Sequence, residues 1–212
     1  MHIITLATEK GGPGKSTLGT SLAVAAVEAG EKVMLVELDQ QGTTSNWAAQ
    51  RETHSADVGP DVTTAHSRDL ADGLKALNEA SYTTVVVDTP GHDSVDVRPA
   101  LALSTFIVIP TRPTVADLNG SMTTIEVAQR LSPPFLIVLT QTGAAKGDAK
   151  VREASEALAG IGPVFDRIVS RQIYQDALGA GYGVTELEPK GKSAEEVRGL
   201  WRRIVELIEE AA

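Results

Sequence analysis

Cysteine is absent from this chain of 212 residues. That excludes a disulfide framework, thiolate zinc sites and cysteine-held iron–sulfur clusters, and it fits a reducing compartment. Aromatic residues are scarce, with three Phe, two Trp and three Tyr, too few for a platform that stacks single-stranded nucleic acid. Positive charge is in the minority: 19 Lys and Arg stand against 28 Asp and Glu, a formal charge of −9. A wholly basic nucleic-acid binder is therefore excluded, and only a local basic patch stays open. No apolar run approaches the roughly 20 residues needed to span a bilayer. The opening Met1-His2-Ile3-Ile4-Thr5-Leu6 lacks the basic stretch of a signal peptide and reads as a buried strand. The expectation is a cytoplasmic protein whose residues 1–212 form a single domain.

Short apolar runs recur along the chain at residues 3–7, 33–36, 84–87, 106–109 and 135–139, with a weaker one at 168–169. Most are continuous and β-branched, as suits strands buried on both faces. Between them, residues 16–29, 67–79, 118–131, 151–158 and 194–209 carry apolar side chains at helical spacing. This βαβ rhythm predicts an α/β fold: a twisted, mainly parallel sheet of about seven strands flanked by helices on both faces.

The chemistry begins where the first strand ends. Glu9-Lys10-Gly11-Gly12-Pro13-Gly14-Lys15-Ser16-Thr17 sits between an apolar strand and an apolar helix and reads as a phosphate-binding loop. Glycines let the backbone turn N–H groups inward, the following helix adds the positive end of its dipole, Lys15 reaches the terminal phosphates and the Ser16 hydroxyl ligates Mg²⁺. Lys10 is surplus to holding one nucleotide. Two further strand ends carry acids: Glu37-Leu38-Asp39-Gln40-Gln41 after the second run, and Asp88-Thr89-Pro90-Gly91 after the third. A carboxylate at the carboxyl end of a parallel strand faces the crevice where such sheets bind ligands. Asp88 has the form of a Walker B acid, which holds Mg²⁺ through its water shell.

Lys10-Gly11-Gly12-Pro13-Gly14-Lys15-Ser16-Thr17 resembles the deviant Walker A box of the ParA/MinD superfamily of P-loop ATPases. Asp39 and Gln41 match that family's D-x-Q element, and Asp88-Thr89-Pro90 matches its Walker B; the short length is similar to the small plasmid-partition ParA subgroup. Glu9, Glu37 and Gln40 depart from the usual pattern, Glu37 standing where the family often has aspartate. The resemblance implies a P-loop NTPase-type sheet and slow, partner-stimulated hydrolysis of ATP with Mg²⁺. It implies that Gly11, Gly12, Pro13, Gly14, Lys15, Ser16 and Thr17 bind nucleotide, Thr17 at the α-phosphate, and that Ser16 and Asp88 hold the metal. Lys10, Lys15 and Asp39 would be catalytic. Lys10 would reach the partner subunit's ATP in a nucleotide-sandwich homodimer, and Asp39 would position the attacking water.

The same resemblance implies partition or positioning of DNA or another large cargo, through a centromere-binding or cargo-adaptor protein that stimulates hydrolysis. Non-specific DNA binding and association with the nucleoid would follow, with Arg171, Lys190, Lys192, Arg202 and Arg203 as contact candidates and Arg167 and Arg198 as companions. From the residues alone, the basic side chains near the end of the chain, interspersed with Glu195, Glu196 and Glu206, read first as a solvated helix face. The segment 109–117 reads as a rigid proline-containing loop at the nucleotide mouth or dimer face. A MinD-type membrane ATPase is the first alternative. The last helix has the apolar stripe Val197, Leu200, Trp201, Ile204, Leu207 and Ile208, but its acidic end would be repelled by anionic lipid, so packing against the sheet is expected. An ATP-using metabolic synthetase on the same scaffold is the second, and Lys10 counts against it. An electron-transfer ATPase is excluded by the lack of cysteine. His54, His66 and His92 are too scattered for a metal site.

Overall fold

The computed structural model describes residues 1–54, 58–91, 97–145 and 147–211. Strands and helices alternate almost without exception. β1 (His2–Leu6), α1 (Lys15–Glu28), β2 (Val33–Glu37), α2 (Thr43–Arg51) and β3 (Asp61–Thr64) open the chain. α3 (Leu70–Glu79), β4 (Thr84–Asp88), α4 (Val97–Leu103), β5 (Phe106–Thr111) and α5 (Val115–Leu131) follow. β6 (Phe135–Leu139), α6 (Ala149–Ala159), β7 (Val164–Phe165), α7 (Ile173–Ala180), α8 (Val184–Leu187) and α9 (Lys192–Glu210) complete it.

The seven strands form one sheet in the order β3-β2-β4-β1-β5-β6-β7, and each pairing is parallel. The continuous apolar runs are explained by what lies on each side. Val86, Val108, Leu136 and Val138 face one core shared with α1, α7, α8 and α9. Their immediate neighbours Val85, Val87, Ile107, Ile109, Ile137 and Leu139 face cores under α3 and α4 or under α5 and α6. Both pleat directions are dry, so alternation disappears from the sequence. α1 is buried almost all round, from Leu18 to Ala26. The stripe of α9 goes inward as expected: Val197, Leu200, Trp201 and Ile204 are buried in the α1-side core.

Two expectations are corrected. Residues 168–169 do not form the seventh strand; Val164–Phe165 does, and Val169 makes only a single bridge to Thr142. The seventh strand is two residues long and half-buried, leaving almost no pattern to read. Segment 109–117 is not one loop, because Pro110 and Thr111 belong to β5 and Val115 opens α5. Pro110 is tolerated because β1 stops at the Leu6–Val108 pair, so no β1 acceptor needs its missing N–H. β3, α2, α4, α7 and α8 leave no periodic apolar signal in the sequence, since they are short or carry few buried side chains.

β1 lies at the centre of the sheet, flanked by β4 and β5, and β4 is flanked in turn by β2. The register aligns Leu6 with Asp88 and Asp88 with Glu37. The phosphate loop and both acidic strand ends therefore leave one edge of the sheet side by side.

Candidate functional site

Gly14 enters α1 in the left-handed region at φ 89°, a conformation that favours glycine, and α1 has neither a side-chain cap nor an acid in its first turn. Its first N–H groups are consequently open to an anion. The loop is braced from below. Thr140 Oγ1 donates to Pro13 O at 2.8 Å, Gln141 Nε2 to Gly12 O at 2.7 Å, and Thr89 Oγ1 to Leu6 O at 2.8 Å. The loop that follows β4 presses on it from the side, where a Cβ placed on Gly91 would stand 3.1 Å from both Gly11 Cα and Lys15 Nζ.

Lys15 is buried and directs Nζ to Thr8 O at 3.4 Å. Burial lowers its pKa, while Asp88 and Asp39 oppose that effect, which places all three groups in one electrostatic neighbourhood. Asp88 is wholly buried. Desolvation pushes it up to about 6 against the pull of Ser16, Thr44 and Lys15, with Glu37 adding a smaller upward push. Thr44 Oγ1 donates to Asp88 Oδ2 at 3.1 Å, but Oδ1 has no hydrogen-bond partner. A buried carboxylate oxygen without a donor is costly unless something completes it. Asp39 lies just beyond β2, partly exposed, with Oδ1 accepting from the Gln41 N–H at 3.0 Å in a tight turn. The structure thus joins Lys15, Ser16, Asp39 and Asp88.

Lys10 has a separate station. Its Nζ lies 3.0 Å from Asp117 Oδ1, its stem runs over Gly120 of α5, and its side chain is 39% exposed. Arg112 holds the same carboxylate with Nε at 2.9 Å and Nη2 at 3.0 Å, and Thr114 Oγ1 donates to it at 2.6 Å. Burial would raise Asp117, but the donors Arg112, Thr114 and Lys10 prevail and hold it at about 2. Beside the loop is a cavity of about 300 Å³, walled by Pro13, Gly14, Thr17 and Leu18 on one side and by Thr140, Gln141, residues 168–172, Tyr174 and Gln175 on the other.

The basic candidates do not converge on this site. Arg171 forms a two-pronged pair with Glu196 at 2.7 and 2.8 Å and also reaches Ser193. Arg198 pairs with Glu28, Arg203 with Glu206 and Glu210, and Arg167 bonds the carbonyl of Ala144. Lys190, Lys192 and Arg202 are exposed. Among the described residues no group of three or more His, Asp or Glu side chains could hold a metal by itself. His92 lies outside the described residues. Sequence reasoning missed Thr44, Thr140 and Gln141, whose roles arise from contacts across the fold, and it placed Arg112 and Asp117 only within the segment 109–117 without foreseeing that Asp117 would hold Lys10.

A family model described as ATPase MipZ matches residues 2–130. The chain belongs to the ParA/MinD superfamily of ATPases. Full-length relatives agree. A Gloeobacter kilaueensis protein named Maintenance of carboxysome distribution protein A is 31% identical over 210 residues, covering 98% of this chain and 94% of that one. A protein of the same name from Halothiobacillus neapolitanus is 28% identical over 197 residues, covering 90% of each. In fold, this ParA/MinD-type ATPase is similar to the septum site-determining protein MinD from Pyrococcus horikoshii, solved with Mg-ADP. The TM-score is 0.77 at 19% identity, over 96% of this chain and 95% of that one. The P-loop NTPase-type sheet anticipated from the motifs is the fold observed.

Proposed function

We propose that this ATPase is a positioning switch that dimerises around ATP and Mg²⁺ and moves a large intracellular cargo through an adaptor protein. The supporting observation is the separation of its two lysines. Lys15 is buried among the acids of its own site, whereas Lys10 rests at the surface on Asp117. A surface lysine held by one ion pair can exchange that partner for a phosphate of a second subunit, which a buried lysine cannot do. In this reading the first turn of α1 and Lys15 bind the terminal phosphates, Thr17 contacts the α-phosphate, and the cavity beside Pro13–Leu18 receives the base. Ser16 and the unpartnered Oδ1 of Asp88 fit a hydrated divalent cation, and Mg²⁺ held there supplies charge neutralisation to the phosphates. Asp39 orients the attacking water. Lys10 makes hydrolysis conditional on assembly.

For the cargo, the two relatives named for carboxysome distribution favour a large particle of that kind over a replicon. Non-specific DNA would serve as the track, with Lys190, Lys192 and Arg202 the most available contacts. The membrane alternative is disfavoured, because Val197, Leu200, Trp201 and Ile204 of the apolar stripe of α9 are in the core. The test is light scattering with Mg²⁺ and either ADP or a non-hydrolysable ATP analogue. Wild type should double in mass with the ATP analogue alone, and Lys10→Ala should bind that analogue as a monomer. A variant that still doubles in mass would remove Lys10 from the assembly step.

A further inference from the structure

The acid at the end of β2 and the acid at the end of β4 are aligned in register, yet their carboxylates do different things. Glu37, buried at 2% exposure, turns toward α2. Its Oε1 accepts from the Thr44 N–H at 2.8 Å, and its Oε2 accepts from the Ser45 N–H at 3.0 Å and from the Ser45 hydroxyl. Gly42, at the N-cap position of α2, has no side chain to do this, and the helix has no acid in its first turn. Glu37 therefore caps the helix from a neighbouring strand, as a carboxylate at a helix N-terminus should. What it fixes is Thr44. That residue is fully buried, with its N–H on Glu37 and its Oγ1 on Asp88 Oδ2.

We infer that Glu37 and Thr44 are positioning residues that orient the Walker B carboxylate. The Thr44 hydroxyl takes Oδ2 and leaves Oδ1, which has no hydrogen-bond partner, as the oxygen available to a cation. Without Thr44 the carboxylate can rotate about its last bond, and neither oxygen is fixed toward the Ser16 side. The longer arm of glutamate suits the cap, because one carboxylate spans two successive N–H groups and a hydroxyl. The inference rests on the Mg-ATP reading above and adds to it how Asp88 is aimed.

The experiment measures the affinity of a fluorescent ATP analogue with excess Mg²⁺ and again with EDTA, for wild type, Thr44→Val, Thr44→Ser and Glu37→Gln. Thr44→Val should keep the EDTA affinity and lose about tenfold of the strengthening that Mg²⁺ brings, the weight of one hydrogen bond to a charged group. Thr44→Ser should restore it. Glu37→Gln should follow Thr44→Val in the Mg²⁺ arm, because the helix turn that carries the hydroxyl is released. A general packing defect would weaken both arms equally and Ser would not rescue it; that result overturns the inference. So does a Thr44→Val protein whose Mg²⁺ response matches wild type within twofold. If wild type itself ignores Mg²⁺, the Mg-ATP reading falls and this inference falls with it.

Discussion

Asp88 offers a prediction whose size can be worked from its surroundings. Its carboxylate is sealed from water, with Oδ1 unpartnered, and its pKa is raised from 3.8 to about 6. A raised acid pKa means that the fold prefers the neutral form. Its contribution to stability is fully present below pH 3.8 and is lost as pH rises to about 6. Each tenfold change in proton affinity is worth about 1.4 kcal/mol, so the charged carboxylate costs the apo fold about 3 kcal/mol at pH 8. Asp88→Asn should remove that cost, keep the bond from Thr44 and raise the stability of the apo protein by about that amount at pH 8. At pH 4 the two proteins should be nearly equal, since Asp88 is then mostly protonated. The assay is urea unfolding without nucleotide or divalent metal at both pH values, comparing midpoints at constant slope. The same variant should lose its Mg²⁺-dependent gain in nucleotide affinity. A variant less stable than wild type at pH 8, or equally stabilised at both pH values, would refute the argument from desolvation.

Other residues yield shorter tests. Asp39→Ala should bind ATP normally and accumulate as the ATP-bound dimer, and undiminished turnover in single-turnover phosphate release would take Asp39 out of the hydrolytic step. Arg171→Ala should lower stability by about 1–2 kcal/mol, the range for a half-buried two-pronged pair, and leave the salt dependence of ATP-stimulated DNA binding unchanged. Its guanidinium is already committed to Glu196. A salt slope reduced by about one would instead identify Arg171 as a phosphate contact.

The legible parts of this molecule are those whose signal is local. Ile3, Val85, Val87, Ile107 and Ile137 sit in runs that two covered faces leave continuously apolar, so their strands were readable. Asp61–Thr64 was not, because β3 is an edge strand with three of its four residues exposed and a polar composition. α2 was missed for a related reason: only Thr44, Trp47 and Arg51 are buried, and the burial of Arg51 depends on Val58 O and Gly59 O in the following loop and on Gly181 O and Glu186 more than a hundred residues away. At the site, Lys15, Ser16 and Asp88 follow from spacing. Asp117 does not, because nothing near it in sequence announces that Lys10 will rest there. Thr44 is invisible for the same reason, since a threonine two residues after a glycine means little until β4 is folded beside it.

Lys15 Nζ and the near-contact of Gly11 with Gly91 bear on how such a chain can diverge. The phosphate loop and the loop after Walker B lie so close that a methyl group on Gly91 would stand 3.1 Å from both Gly11 Cα and Lys15 Nζ, and the neighbours would have to give slightly. The constraint is one-sided, since a Cβ on Gly11 would meet Gly91 O at an ordinary 3.5 Å. A lineage that enlarges position 91 must shift the phosphate loop with it, and since the proposed phosphate contacts lie on that loop while the proposed metal-side acid precedes the other, drift at this point bears on both halves of the proposed site at once.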